Sequence, residues 1–270
     1  MGFKYQLIAL YTLVRREVVR MFRISSQVFL PPVITTTLYF LIFGSLIGPR
    51  IGDIEGVDYS QFIAPGLIMM SVIINSYGNV SNSLFSVRFQ KSIEEMLISP
   101  MHNGLLLLGY VIGGVLRGLI VAILVFVIST FFLPVELDHL PMTLLVVVLV
   151  AAIFSLAGFT NAMVARNFDD IMLIPTFILT PLTYLGGVFY SINMLPPFWQ
   201  KISLFNPILY MVNALRHTMI DQEEVSITLA MIIIFLMLIA LTVGNMILLK
   251  KGWDFANKKQ DSLQNGSICV

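Results

Sequence analysis

Long uncharged runs, separated by short charged breaks, set the pattern of this chain. No charge lies between Arg23 and Arg50, nor from Tyr59 to Val87. Further apolar runs fill Leu105–Leu133 (interrupted only by Arg117), Leu140–Val164, Ile171–Tyr190 and Ser226–Leu249. About 20 apolar residues suffice to cross a bilayer as a helix. The pattern therefore predicts six membrane spans: about Gln27–Gly48, about Gln61–Leu84, one within Leu105–Leu133, Leu140–Val164, Ile171–Tyr190 and Ser226–Leu249. Pro31, Pro32, Pro65, Pro175 and Pro181 fall within or near these spans. They predict kinks or late helix starts, which neighbouring helices can re-satisfy in a membrane.

Residues 3–23 follow a different rhythm. Leu7, Tyr11, Val14, Val18 and Phe22 recur at spacings of three and four, with Arg16, Arg20 and Arg23 on the opposite face. An apolar stripe with a basic back predicts an amphipathic helix lying in the membrane surface; packing on cytoplasmic protein is the competing reading. Residues 85–102 form a second such element. Phe85, Phe89, Ile93 and Met96 make an apolar stripe, Arg88 and Lys91 precede Glu94 and Glu95, and Pro100 ends the run. Such a helix could dock in a groove of a cytoplasmic partner, or simply lie on lipid.

The stretch from Ile171 to Gln200 holds thirty consecutive uncharged residues, more than one simple span needs. It is broken at Gly186-Gly187 and at Pro196-Pro197, and Asn206-Pro207 opens another apolar piece that carries Arg216 near its end. This predicts a span that breaks at the outer face and continues as short re-entrant helices. Irregular backbone at membrane depth survives only where protein or a water-filled cavity covers it, so the segment is a candidate gate or path lining.

Charge placement orients the chain. With the N-terminus inside, cytoplasmic segments 1–24, 85–104, 165–170 and 250–270 carry twelve Lys and Arg, against three outside: Arg50, Lys201 and Arg216. By the positive-inside rule both termini are cytoplasmic. Charged residues make up only 11% of the chain, against about 25% in a soluble domain, so no independent soluble domain is expected. Residues 1–23 carry five basic residues and no continuous apolar core, so no cleavable signal peptide is expected. The single cysteine, Cys269, suggests neither an internal disulfide nor a metal site.

Several polar residues stand out against this apolar background. Asn75, Asn79 and Asn82 recur along one side of the second span; amides in lipid are costly, so they should line a path or bond between helices. Arg117 lies within the third span, and snorkelling to the inner interface is preferred to a functional role. Asp169 and Asp170 read as a helix cap in a short inner loop rather than a cation site. The chain lacks a G-x-x-x-x-G-K-[ST] phosphate loop, an H-E-x-x-H pair and any mid-span acid. ATP binding by that loop, metal hydrolysis and a proton-driven carrier are therefore disfavoured. His102, His139 and His217 are scattered.

In this order of elements the chain resembles the membrane subunits of ABC-2 type exporters, and within them the YadH-like bacterial inner-membrane permeases. The most specific resemblance is Pro181 to His217: a proline, a small-residue pair, an aromatic, a Leu-Pro segment, Asn-Pro and an arginine. QKSIEEMLISPM, ending at Met101, is similar to the family's coupling segment. The resemblance implies a single transmembrane domain over 1–270: an interfacial helix at 1–24, two spans in 27–84, a coupling helix in 85–104, two spans in 105–164, the fifth span, re-entrant segment and sixth span in 171–249, and a cytoplasmic tail at 250–270. It further implies two copies of this chain working with two ABC ATPase subunits in the bacterial inner membrane. The chain itself would hold no cofactor; ATP and Mg would be bound by the partner, and nucleic acid is not an expected ligand. Phe85, Arg88, Phe89, Lys91, Ile93, Glu94, Glu95, Met96, Leu97 and Pro100 would then seat on the ATPase. Pro181, Gly186, Gly187, Phe189, Pro196, Pro197, Trp199, Asn206, Pro207 and Arg216 would form the outer gate. The expected cargo is amphiphilic: a lipid-linked glycan, a polysaccharide or a drug-like molecule. Phe189, Tyr190, Phe198, Trp199 and Tyr210 could stack on sugar rings, although an interfacial aromatic belt is the preferred reading. A non-transporting scaffold or sensor partner of an ATPase is the alternative, and a lipid-modifying enzyme lacks the expected nucleophile or metal site.

Overall fold

The computed structural model describes residues 3–54, 56–90, 101–132 and 139–266, and they are almost wholly helical. Helix α1 is Phe3–Arg23 and α2 is Ser25–Tyr39, which runs on through a π-helical stretch, Phe40–Ile47, into α3, Gly48–Ile51. A two-residue hairpin, β1 Asp53–Ile54 with β2 Val57–Asp58, leads into α4, Tyr59–Phe89. Asp58 starts α4 by accepting the Ser60 backbone N–H at 2.7 Å. Then come α5 (Asn103–Phe132) and α6 (Leu140–Val164). Helix α7 (Phe168–Ile174), a π segment Pro175–Leu179 and α8 (Thr180–Tyr184) follow without a break. A 3-10 turn at Ile192–Met194 precedes α9 (Pro197–Leu204), α10 (Pro207–Ile220) and α11 (Ile227–Gly266).

Five helices among the described residues are long and apolar enough to cross a membrane: Ser25–Ile51, Tyr59–Phe89, Asn103–Phe132, Leu140–Val164 and Ile227–Lys250. They coincide with five of the six predicted spans. The predicted fifth span differs. Its three helical pieces hold seven, five and five residues. At 1.5 Å per residue that is about 25 Å, short of the roughly 30 Å hydrocarbon core. Two prolines cause the irregularity. Pro175 has no N–H for the carbonyl of Ile171 four residues earlier, and Asn161 of α6 donates to that carbonyl instead at 3.2 Å.

Helix α4 is the axis of the bundle. Of its most apolar window 83% is buried, against 17% for Ser25–Ile51 and 11% for Ile227–Lys250, so the first and last spans lie at the periphery. It packs on α5, α6 and α10. Glycines permit these approaches. A Cβ at Gly158 of α6 would run into the Tyr77 carbonyl of α4, and one at Gly114 or Gly118 of α5 into Ser155 or Ser76. Where α11 has Gly244, a Cβ would meet open space.

Candidate functional site

Helix α1 packs on α5 through a stripe the apolar pattern does not mark. Leu13, Glu17 and Met21, each four residues apart, are its buried positions. A Cβ at Gly109 of α5 would collide with Leu13, and one at Gly113 would lie 2.9 Å from Glu17 Cβ. The expected membrane stripe is indeed outward, with Leu7, Tyr11 and Phe22 exposed. Its supposed solvent face, however, turns into the protein. Glu17, 1% exposed, accepts from Arg16 at 3.1 Å, Arg20 at 2.9 Å and the Ser83 hydroxyl at 2.7 Å. Arg16 also donates to Tyr110 at 2.8 Å, and Arg20 to the Asn79 amide oxygen at 2.9 Å. This cluster was not anticipated. Its sequence signal was Glu17 itself, the first acid before Asp53, beside the close-packing spacing Gly109–Gly113.

The three-amide column of α4 separates into different roles. Asn79 meets Arg20, whereas Asn82 is exposed and its side chain turns back to the Gly78 carbonyl. Asn75 meets Arg117: the guanidinium Nη2 donates to Asn75 Oδ1 at 3.1 Å, and Asn75 Nδ2 donates to Ser71. Both partners sit midway along helices of 31 and 30 residues. Arg117 is therefore about four turns from either end of α5, and bonds across the bundle instead of snorkelling from an inner helix end. The pair borders a groove of about 220 Å³ between α2 and α4.

The turn after α8 is held from below. Gly187 has φ +74°, a conformation that favours glycine, and its carbonyl accepts from Arg216 at 2.7 Å. Arg216 is fully buried. Its guanidinium lies 3.8 Å above the Phe62 ring and 3.4 Å from the Glu224 carboxylate, which is equally enclosed. This corrects the placement of Arg216 as an outer loop charge. The same turn rests on α4, where a Cβ at Gly66 would lie 2.7 Å from the Val188 carbonyl, and Tyr59 donates to the Phe189 carbonyl at 3.0 Å. Asn206 does two jobs: its Oδ1 accepts from the Ile208 N–H at 3.0 Å, capping α10, and its Nδ2 bonds the Leu182 carbonyl of α8. Pro197 and Pro207 occupy first-turn positions, as expected of helix starts. Pro181 likewise sits in the first turn of α8, and Pro196 is the N-cap of α9. Helix α10, expected as a short re-entrant piece, is buried along nearly its whole length against α4, α6 and α11. The aromatics do not form one platform. Phe189 packs with Tyr39, Phe43 and Tyr184, Tyr210 is buried and donates to Leu204, and Phe198 and Trp199 are exposed.

At the opposite end, Phe85, Arg88 and Phe89 belong to the last turns of α4, which runs five residues past the predicted span end. Arg88 donates to the carbonyls of Ala162, Met163 and Ala165, so it caps the C-terminus of α6. Phe85 and Phe89 pack on Phe168 of α7. Three helix ends are thus tied together where the chain leaves α4. Lys91, Ile93, Glu94, Glu95, Met96, Leu97 and Pro100 lie outside the described residues. Asp170 accepts from the backbone of Arg166 and Asn167 and caps α7, as expected. No metal-binding cluster of His, Cys, Asp or Glu occurs among the described residues.

Comparison with known proteins agrees with this arrangement. Residues 8–220 match the model of the ABC-2 type transporter family. The "Inner membrane transport permease YadH" of Escherichia coli (strain K12) is 52% identical over 231 residues, covering 85% of this chain and 90% of the relative. The "Nodulation protein J" of Rhizobium leguminosarum bv. viciae is 22% identical over 193 residues, 71% of this chain and 74% of the relative. A matched span running from α1 to the end of α10, with a relative of this identity over most of both chains, means that the chain belongs to the ABC-2 type transporter family and is a membrane permease component of an ABC transporter.

Proposed function

We propose that this chain is the permease of an ATP-driven exporter in the bacterial inner membrane, working as two copies with two separate ABC ATPase subunits. ATP and Mg belong to those subunits. In this reading the composite segment Phe168–Tyr184, extended by the turn at 185–191, makes the sixth crossing together with the five long helices, and both termini are cytoplasmic. The turn at 185–191, α9 and α10 form the outer closure, and an amphiphile passes outward when it yields.

The observation that carries the reading is the pinned turn. Arg216, Asn206 and Tyr59 hold three of its or its neighbours' carbonyls, and Gly66 gives it a seat. A closure so tied to α4 and α10 supports a coupled gate, because α4 ends in the Arg88 knot from which segment 91–100 departs. Motion imposed on that segment by an ATPase reaches the turn along one continuous helix.

The test is to replace Phe89 and Met96 together by Glu. Phe89 packs on Phe85 and Phe168 at the edge of the bundle but is largely exposed, so its loss should loosen only that end while the bilayer-embedded fold persists, which thermal unfolding of the variant checks. A carboxylate placed against an apolar groove costs several kcal/mol, so affinity capture of the full-length chain should lose the ATPase. Capture of the ATPase at the wild-type ratio would remove this segment from the coupling role.

A further inference from the structure

Arg117 is an incompletely compensated cation beside a groove. Its Nη2 reaches Asn75, but its Nε has no hydrogen-bond partner, and no carboxylate pairs with it among the described residues. The nearest acid cluster is already used: Glu17 serves Arg16, Arg20 and Ser83. Arg20 is itself close enough to act on Arg117 electrostatically. Glu17 is thus spent on α1 and α4, and Arg117 bonds only a neutral amide among the described residues. A buried cation is ordinarily paired or bound to something, and an intramembrane one marks a ligand or ion pathway.

The groove matches a ligand with two ends. Pro31, Leu67 and Ile74 give it apolar walls, Thr36, Ser71 and Asn75 give it hydrogen-bonding groups, and Arg117 gives it its charge. At about 220 Å³ it holds a headgroup and the first part of a chain rather than a whole lipid. It lies against α2, a peripheral helix whose window is only 17% buried.

We propose that this groove binds the anionic headgroup of an amphiphile, a phosphate or similar oxyanion ester, with Arg117 as its countercharge and the apolar walls on α2 and α4 taking the first segment of its chain. This names a substrate class for the export reading and rests on it for the word substrate; the binding itself does not.

The test is native mass spectrometry of the full-length chain in a neutral detergent, titrated with dodecyl phosphate. The wild type should take up one molecule per chain. A charge-assisted hydrogen bond contributes about 1.5–3 kcal/mol, so Arg117→Gln should weaken binding about 10- to 100-fold, while Arg117→Lys should retain most of it. Thr35→Trp fills the groove from an exposed position and should abolish binding without touching the arginine, which covers the case in which Arg117→Gln fails to fold. Inorganic phosphate should bind far more weakly; equal affinity would overturn the amphiphile and leave a free-anion site. Equal binding of dodecyltrimethylammonium, or dodecyl phosphate binding unchanged in Arg117→Gln or Thr35→Trp, would overturn the proposal. Because binding is read without an ATPase, its loss leaves the export reading untouched, and absence of an ATPase partner leaves the binding result untouched.

Discussion

Replacing Arg216 by Met should destabilise the protein more than any other single change in the turn after α8 and the helices that hold it. At 3.4 Å, the Arg216–Glu224 attraction is about 5 kcal/mol with an effective dielectric constant near 20. Desolvation of two fully enclosed groups offsets much of that, so the pair's net worth is small. Removing only the cation is a different matter. It leaves Glu224 enclosed without its counter-ion, strips the donor from the Gly187 carbonyl, and ends the contact with Phe62. Breaking a buried pair on one side costs about 3–5 kcal/mol, which at roughly 2–4 °C per kcal/mol for a chain of this size is a fall of about 10 °C in Tm. Glu224→Gln should cost less, because Arg216 keeps Gly187 and Phe62. The double variant Arg216→Met with Glu224→Gln should recover part of the loss, since no uncompensated charge remains. Thermal unfolding of the purified chain, followed by size-exclusion of the surviving fraction, reads all three. A single Arg216→Met variant within about 2 °C of wild type, or a double variant no better than the single, would refute the argument.

Two further outcomes follow from the packing of α4, α5 and α6. Gly158→Ala forces a methyl group onto the Tyr77 backbone carbonyl and should lower stability by about 1–3 kcal/mol, whereas Gly244→Ala, which meets nothing within 4 Å, should be neutral or slightly stabilising; equal melting temperatures would contradict the close α4–α6 contact. Glu17→Gln removes the negative charge between Arg16 and Arg20 and turns one of its two acceptor oxygens into a donor; it should loosen α1 from α5, read as faster trypsin cleavage at Arg16 or Arg20, and unchanged cleavage would mean that α1 is held by its apolar contacts alone.

Local chemistry was the legible part of this chain. Asn206-Pro207 announces the start of a helix, and α10 begins there; Gly187 announces a break and adopts positive φ. Length and apolarity placed five long helices. Periodicity alone could divide α1 into two faces but not say which meets the protein. In water a polar face points to solvent, whereas beside a membrane bundle the apolar face can point to lipid and the charged one inward. Arg16, Arg20 and Glu17 follow the second rule, and the count of loop charges misled on Arg216 for a related reason: a buried guanidinium with a ring, a carbonyl and a carboxylate around it is indistinguishable, in one dimension, from a charge at a helix end. The partition of Asn75, Asn79 and Asn82 depends on which neighbours α4 meets along its length, and that information is tertiary.

The central claim is that this chain is the membrane half of a machine whose energy comes from another polypeptide. The most direct measurement is to purify the full-length, affinity-tagged chain from its native membranes in a mild detergent and assay ATP hydrolysis alongside subunit composition. The account predicts that an ABC ATPase co-elutes in equal proportion and that all hydrolysis follows that fraction, with none in the chain stripped of it. Hydrolysis by the isolated chain, or a stable preparation with no ATPase bound, would contradict it.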